Sequence, residues 1–129
     1  MTTIVLDSSA LLALILGERR AGKVAAVVNG AWMSSVNFAE VVGYFAKRGA
    51  DDADIRRYLG SFPLAVASFD PESAYLAGLL RPLGEKVGLS LGDRACRSLA
   101  RSRNARAMTA DRAGVSIAAA YGVWVEMIR

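Results

Sequence analysis

Four of the twelve acidic residues sit where carboxylates could act together. Asp7, in IVLDSSALLALI, lies at the seam of two apolar runs. An ionised group there is costly unless it is paired, capped or bound to a metal. Asp111, in MTADRA, also follows a β-like run. Each of the two reads equally well as a plain helix N-cap, and only together do they become more than that. Glu40 lies in VNFAEVVGYFAKR, opposite the apolar side formed by Phe38, Val41, Val42 and Phe45, and on local evidence belongs to a solvated face. Asp93, in LSLGDRACRSLA, opens a helix whose Ala95, Cys96 and Leu99 form the apolar side, and its plain reading is first-turn charge.

The chain has no histidine, so imidazole acid–base chemistry and imidazole metal ligation are excluded. A carboxylate set without histidine suits a hard divalent cation such as Mg²⁺, which takes oxygen ligands and binds through few carboxylates plus substrate phosphate. Such an ion can activate water and neutralise charge on a phosphodiester. Ser8, beside Asp7, and Thr109, two residues before Asp111, are placed to hydrogen-bond a carboxylate or a bound water, with capping and strand packing as their alternatives. The other acids have local explanations. Asp70 precedes a proline and Asp51 or Asp52 opens a helix; Glu72 falls in a first turn, and Glu18 and Glu85 stand beside basic residues in loops.

Sixteen basic residues, thirteen of them arginine, give a net charge of +4 and suit an anionic partner. On a helical wheel Arg94, Arg97 and Arg101 share one quadrant opposite Ala95, Cys96 and Leu99. This is either a solvated face, with Arg97 pairing Asp93 one turn away, or a track for an anionic backbone helped by Arg103 and Arg106. The lone Cys96 cannot form an internal disulfide and reads as a packed small hydrophobe in a cytoplasmic chain. The apolar run Ala10–Leu16 is too short for a membrane span and lacks the basic flank of a signal peptide.

The elements that must position these residues alternate between short β-like runs and helical stretches. Strands are expected at Ile4–Leu6, Ala31–Ser35, Leu64–Phe69, Arg106–Thr109 and Val123–Ile128. Helices are expected from Ser8 or Ser9 to Leu16, then at Gly22–Val28, Val36–Arg48 (stopped by Gly49) and from Asp51 or Asp52 to Phe62. Three more are expected from Asp70-Pro71 to about Leu83, at Leu89–Ser102 and at Arg112–Tyr121. This alternation implies one α/β domain over residues 1–129, with a five-stranded, mostly parallel sheet flanked by helices. In such sheets ligands bind beyond the carboxyl ends of the strands near a topological switch point, which is where Asp7 and Asp111 fall.

Taken in order, IVLDSSALLAL, SSVNFAEV, LSLGDRACRSLA and MTADRA resemble the PIN domain family over essentially the whole chain. Within it they look like the VapC-type toxin ribonucleases of toxin–antitoxin systems. The resemblance implies a single PIN-like domain, Mg²⁺- or Mn²⁺-dependent cleavage of RNA, a homodimer, and inhibition by a cognate VapB-type antitoxin whose C-terminal segment enters the site. It implies that Asp7, Glu40, Asp93 and Asp111 form the acidic cluster. Asp7, Asp93 and Asp111 hold metal, Glu40 is a further ligand or orients water, and Ser8 supports them. A non-catalytic RNA- or protein-binding module of the same fold is the alternative, disfavoured because an RNA binder gains nothing from an acidic pocket. A phospho-acceptor receiver domain would want a lysine at a late strand end, and residues 104–111 contain none.

Overall fold

The computed structural model describes residues 3–112, 115 and 122–128. Its centre is a five-stranded sheet in the order β3-β2-β1-β4-β5, with every pairing parallel. The strands are β1 (Ile4–Leu6), β2 (Trp32–Ser34), β3 (Ala65–Ala67), β4 (Arg106–Thr109) and β5 (Val125–Met127). The chain leaves β1 toward one edge through β2 and β3, then returns to β1's other side with β4 and β5. The crevice between the ends of β1 and β4 is therefore the switch point, and the Asp7 N–H continues the ladder there by donating to the Met108 carbonyl at 3.2 Å.

The helices begin where side chains accept the N–H groups that a first turn leaves unpaired. Asp7 caps α1 (Ser8–Ile15), Ser34 caps α3 (Ser35–Lys47), Asp51 caps α4 (Asp52–Gly60) and Asp70 caps α5 (Pro71–Leu79). Ser90 caps α7 (Leu91–Ser102) through a capping box closed by Asp93. The short helices α2 (Gly22–Ala25) and α6 (Arg81–Glu85) are the others among the described residues. The helix expected to continue to Leu83 breaks at Leu80, because Pro82 has no N–H for the next bond and its ring crowds the preceding turn. After α3, Gly49 adopts φ 86°, the left-handed conformation that ends a helix. The strands expected at Ile4–Leu6 and Arg106–Thr109 are observed with those bounds, the other three contract by one or two residues at each end, and the helix expected at Arg112–Tyr121 lies largely outside the described residues.

Alternation along β1 sends Ile4 and Leu6 to one face and Val5 to the other. Leu6 joins Leu11, Val24, Met33, Val41 and Met108 in one core, while Val5 packs with Leu89, Cys96, Leu99, Ala100 and Ala107 beneath α7. A fully buried side chain of this size contributes roughly 1.5–3 kcal/mol, so the two faces together hold the strand ends rigidly. Helix α7 meets β1, β2, β4, α3 and α5. That corrects the wheel reading of its arginines. Arg97 is only 4% exposed and belongs to no surface track. Arg94 is half-buried and spends an N–H on the Ala77 carbonyl of α5 at 2.9 Å. Arg101 alone of the three is exposed. No helix among the described residues is long and apolar enough to cross a membrane.

Candidate active site

Asp7 ends β1 and caps α1, and only 4% of it is exposed. Its Oδ1 accepts the Ala10 N–H at 2.9 Å and the Ser9 hydroxyl at 2.7 Å. Burial pushes its carboxyl above the ordinary value of 3.8; hydrogen bonds from Thr109, Ser9 and Ala10 oppose that rise, and the Asp93 charge adds to it. The buried Thr109 stands across the β1–β4 seam, its hydroxyl 3.2 Å from that of Ser9. Ser9 also accepts the Ala110 N–H at 2.9 Å, and Thr109 accepts the Asp111 N–H at 3.0 Å. The two hydroxyls thus tie Asp7 to the segment that carries Asp111. That segment borders an open cleft of about 430 Å³ lined by Ser9, Ala110, Asp111, Arg112 and Met127.

On the other side of Asp7 stand Glu40 and Asp93. Glu40 Oε1 accepts the Ser8 hydroxyl at 3.0 Å and the Asn37 side-chain N–H at 2.9 Å. Asp93 Oδ2 accepts the Ser90 N–H at 2.9 Å and the Ser90 hydroxyl at 3.0 Å. The first-turn role expected of Asp93 is therefore realised through this oxygen. Glu40, expected on a solvated face, is exposed but anchored between α1 and α7. Beneath them Cys96 is buried, and burial pushes its thiol well above the ordinary value of 9.0, helped by the charges of Asp7, Asp93 and Glu40. All three carboxylate charges act on this thiol, which is itself a neutral packing group at neutral pH.

Sequence reasoning named Ser8 as the hydroxyl beside Asp7, but the work is divided: Ser9 holds Asp7 and Ser8 holds Glu40. It also passed over Asn37 and Gly92. The signal for Asn37 was its position one turn before Glu40 on the same helix; Gly92 left only its place beside Asp93.

Among the described residues, no three acidic side chains lie close enough to hold one metal ion together. The donor set nevertheless fits a hard cation in kind. It is all oxygen, and Oε2 of Glu40 and Oδ1 of Asp93 accept no hydrogen bond among the described residues. No described lysine or arginine forms an ion pair with Asp7, Glu40 or Asp93. A buried carboxylate with two acidic neighbours and no cation of its own is a place where a bound cation gains most. The larger groove of this surface, about 490 Å³, lies away from these acids between α3, α4 and β3 and is lined mainly by Phe38, Val42, Ile55, Leu59 and Phe62.

A sequence model of the PIN domain matches residues 4–120. The chain belongs to the PIN domain family. Solved structures share its fold at low identity. A toxin–antitoxin complex from Klebsiella pneumoniae is 19% identical with a TM-score of 0.75, covering 98% of each chain. DNA-bound VapBC from Salmonella typhimurium is 17% identical with a TM-score of 0.73 over 100% of both chains. The sarcin–ricin loop cleaving toxin VapC20 of Mycobacterium tuberculosis is 18% identical with a TM-score of 0.68, covering 91% of this chain and 95% of its own. Comparison with curated protein sequences gives no match. The PIN fold expected from the four motifs, with its parallel five-stranded sheet, is thus the fold observed.

Proposed function

We propose that this PIN domain protein is a metal-dependent endoribonuclease, the toxin of a VapBC-type toxin–antitoxin pair. The observation that carries the reading is Asp7, a buried carboxylate at the β1–β4 switch point that forms no ion pair among the described residues, with the Asp93 charge acting on it and Glu40 held by the adjacent Ser8. Asp7, Asp93 and Asp111 would hold Mg²⁺ or Mn²⁺, with Glu40 as a further ligand or a group that orients water. A bound ion of this kind supplies charge neutralisation at a phosphodiester and a more acidic attacking water. The chain's own part is positional. Ser9 and Thr109 hold the Asp7 carboxylate in one orientation. Ser8 and Asn37 hold Glu40 by Oε1, leaving Oε2 to accept a proton or a hydrogen bond from water.

The toxin–antitoxin complexes among the structural neighbours support a protein antitoxin as partner. An arginine from such a partner would find a strong charge-assisted pair among these acids. Exposed Tyr75, Leu79 and Leu91 on α5 and α7 suit the cover a second copy would give in a homodimer. The second reading, a non-catalytic module of the same fold, is favoured by the failure of any three described acids to converge. The two readings part in one assay. Protein freed of contaminating nuclease should cleave total RNA in Mg²⁺ or Mn²⁺, stop in chelator, and use Ca²⁺ poorly. Asp7→Asn and Asp93→Asn should abolish cleavage while the protein stays folded. Full cleavage in chelator, or wild-type cleavage by both variants, overturns the nuclease reading; binding without cleavage under every metal supports the module.

A further inference from the structure

Asn37 lies in the first turn of α3 and is only 1% exposed, and a buried amide is costly unless its polar atoms are paired. Its Nδ2 donates to Glu40 Oε1 at 2.9 Å and to the Gly92 carbonyl at 3.1 Å. Both partners are acceptors, so only the NH₂ end of the amide can face them. The other end, Oδ1, is buried without a hydrogen-bond partner among the described residues, and an unsatisfied buried acceptor lowers stability. An apolar side chain of similar size would avoid that loss. What the amide adds is a bridge from Glu40 to the first turn of α7.

Gly92 forms the other half of this arrangement. A Cβ at this position would collide with Glu40 Oε1 and lie 2.7 Å from Oε2 and 2.8 Å from the carboxyl carbon. Its φ is not in the left-handed region, so the backbone does not require glycine; the Glu40 carboxylate does. That carboxylate is the far end of a flexible side chain, so an added methyl group would move Glu40 rather than α7.

We infer that Asn37 and Gly92 are positioning residues for Glu40, the amide pulling its carboxylate onto the first turn of α7 and the missing side chain leaving it room beside Asp93. The inference rests on the reading above, in which Glu40 and Asp93 serve one divalent cation. Neither residue touches metal or substrate in this scheme, and both act through the place of one carboxylate.

The test is titration calorimetry of the apo protein with Mn²⁺ alone, combined with thermal melts. Groups that orient ligands typically matter by 10–100-fold in metal affinity. Asn37→Ala and Gly92→Ala should each weaken Mn²⁺ binding by about tenfold or more. Gly92→Ala should melt no lower than wild type, because alanine is the better helix former; lost affinity therefore cannot be blamed on a damaged fold, even if Asn37→Ala folds poorly. In a Glu40→Ala background, adding Gly92→Ala should change nothing further, since the collision partner is gone. Wild-type affinity in Gly92→Ala, with weakened binding in Glu40→Ala, overturns the positioning inference and leaves the metal reading intact. An equal loss from Gly92→Ala in both backgrounds overturns it too, since Gly92 would then act on something other than Glu40. If Asp7→Asn, Glu40→Ala and Asp93→Asn all bind Mn²⁺ like wild type, the metal reading itself fails and takes this inference with it.

Discussion

Asp7→Asn should make the apo protein more stable and remove its response to metal. The amide keeps an Oδ1 to accept the Ala10 N–H and the Ser9 hydroxyl, now at 2.9 and 2.7 Å, and Asn caps a helix about as well as Asp. What it removes is a buried negative charge near Asp93. The sign follows from the raised folded-state value. Folded protein keeps the Asp7 proton to higher pH than the unfolded chain, whose value is near 3.8. The stability linked to that proton is complete below the unfolded value and is lost as pH rises through the folded one. At neutral pH without metal, wild type should therefore melt below Asp7→Asn, and the gap should close on acidification toward the unfolded value. Divalent metal reverses the order. A ligand at one hundred times its dissociation constant stabilises the folded state by about 2.7 kcal/mol. For a domain of this size that is roughly 10 °C in Tm. Asp7→Ala separates cap from charge, because it loses the cap as well, at about 1 kcal/mol, and should gain less than the Asn variant in apo melts. Circular dichroism melts of the three proteins in chelator and in saturating Mg²⁺, at acidic and neutral pH, check all of this. A Mg²⁺-induced rise in Asp7→Asn equal to that of wild type would refute the reasoning.

Three further variants test α7 and α5. Arg101→Gln should weaken RNA binding and flatten the plot of log affinity against log salt by about 0.7, the loss of one phosphate contact on a single strand, without lowering Tm; Arg94→Gln should instead lower stability by about 1 kcal/mol through the lost Ala77 bond, and an unchanged salt slope in Arg101→Gln would remove this end of α7 from the RNA path. Asp70, which hydrogen bonds from Ser73 hold below the usual carboxylate value, stabilises α5 above that value and loses the effect as pH falls through its lowered one, so Asp70→Ala should melt lower than wild type at neutral pH and converge with it in acid; a pH-independent difference would point to packing instead.

The helix starts were legible because capping is local. Asp51 bonds the N–H of Asp54 and Asp70 that of Ser73, each three residues on, so residue type and spacing carry the information. The acids at the ends of β1 and β4 were legible for a different reason: alternation of strand and helix implies parallel strands, and parallel strands bring their carboxyl ends to one edge. Arg97 marks where this reasoning stops. A wheel ranks the sides of an isolated helix, but α7 is enclosed by three strands and by α3 and α5, so a position opposite the apolar side can still be buried. The same holds at the site. Ser8 meets Glu40 across 32 residues, Asn37 meets Gly92 across 55 and Ser9 meets Thr109 across 100. No local rule distinguishes Ser8 from Ser9 or marks Gly92 as the glycine a carboxylate needs. Those assignments depend on the order in which the strands pair and on how closely α3 and α7 approach, and packing of the whole chain sets both.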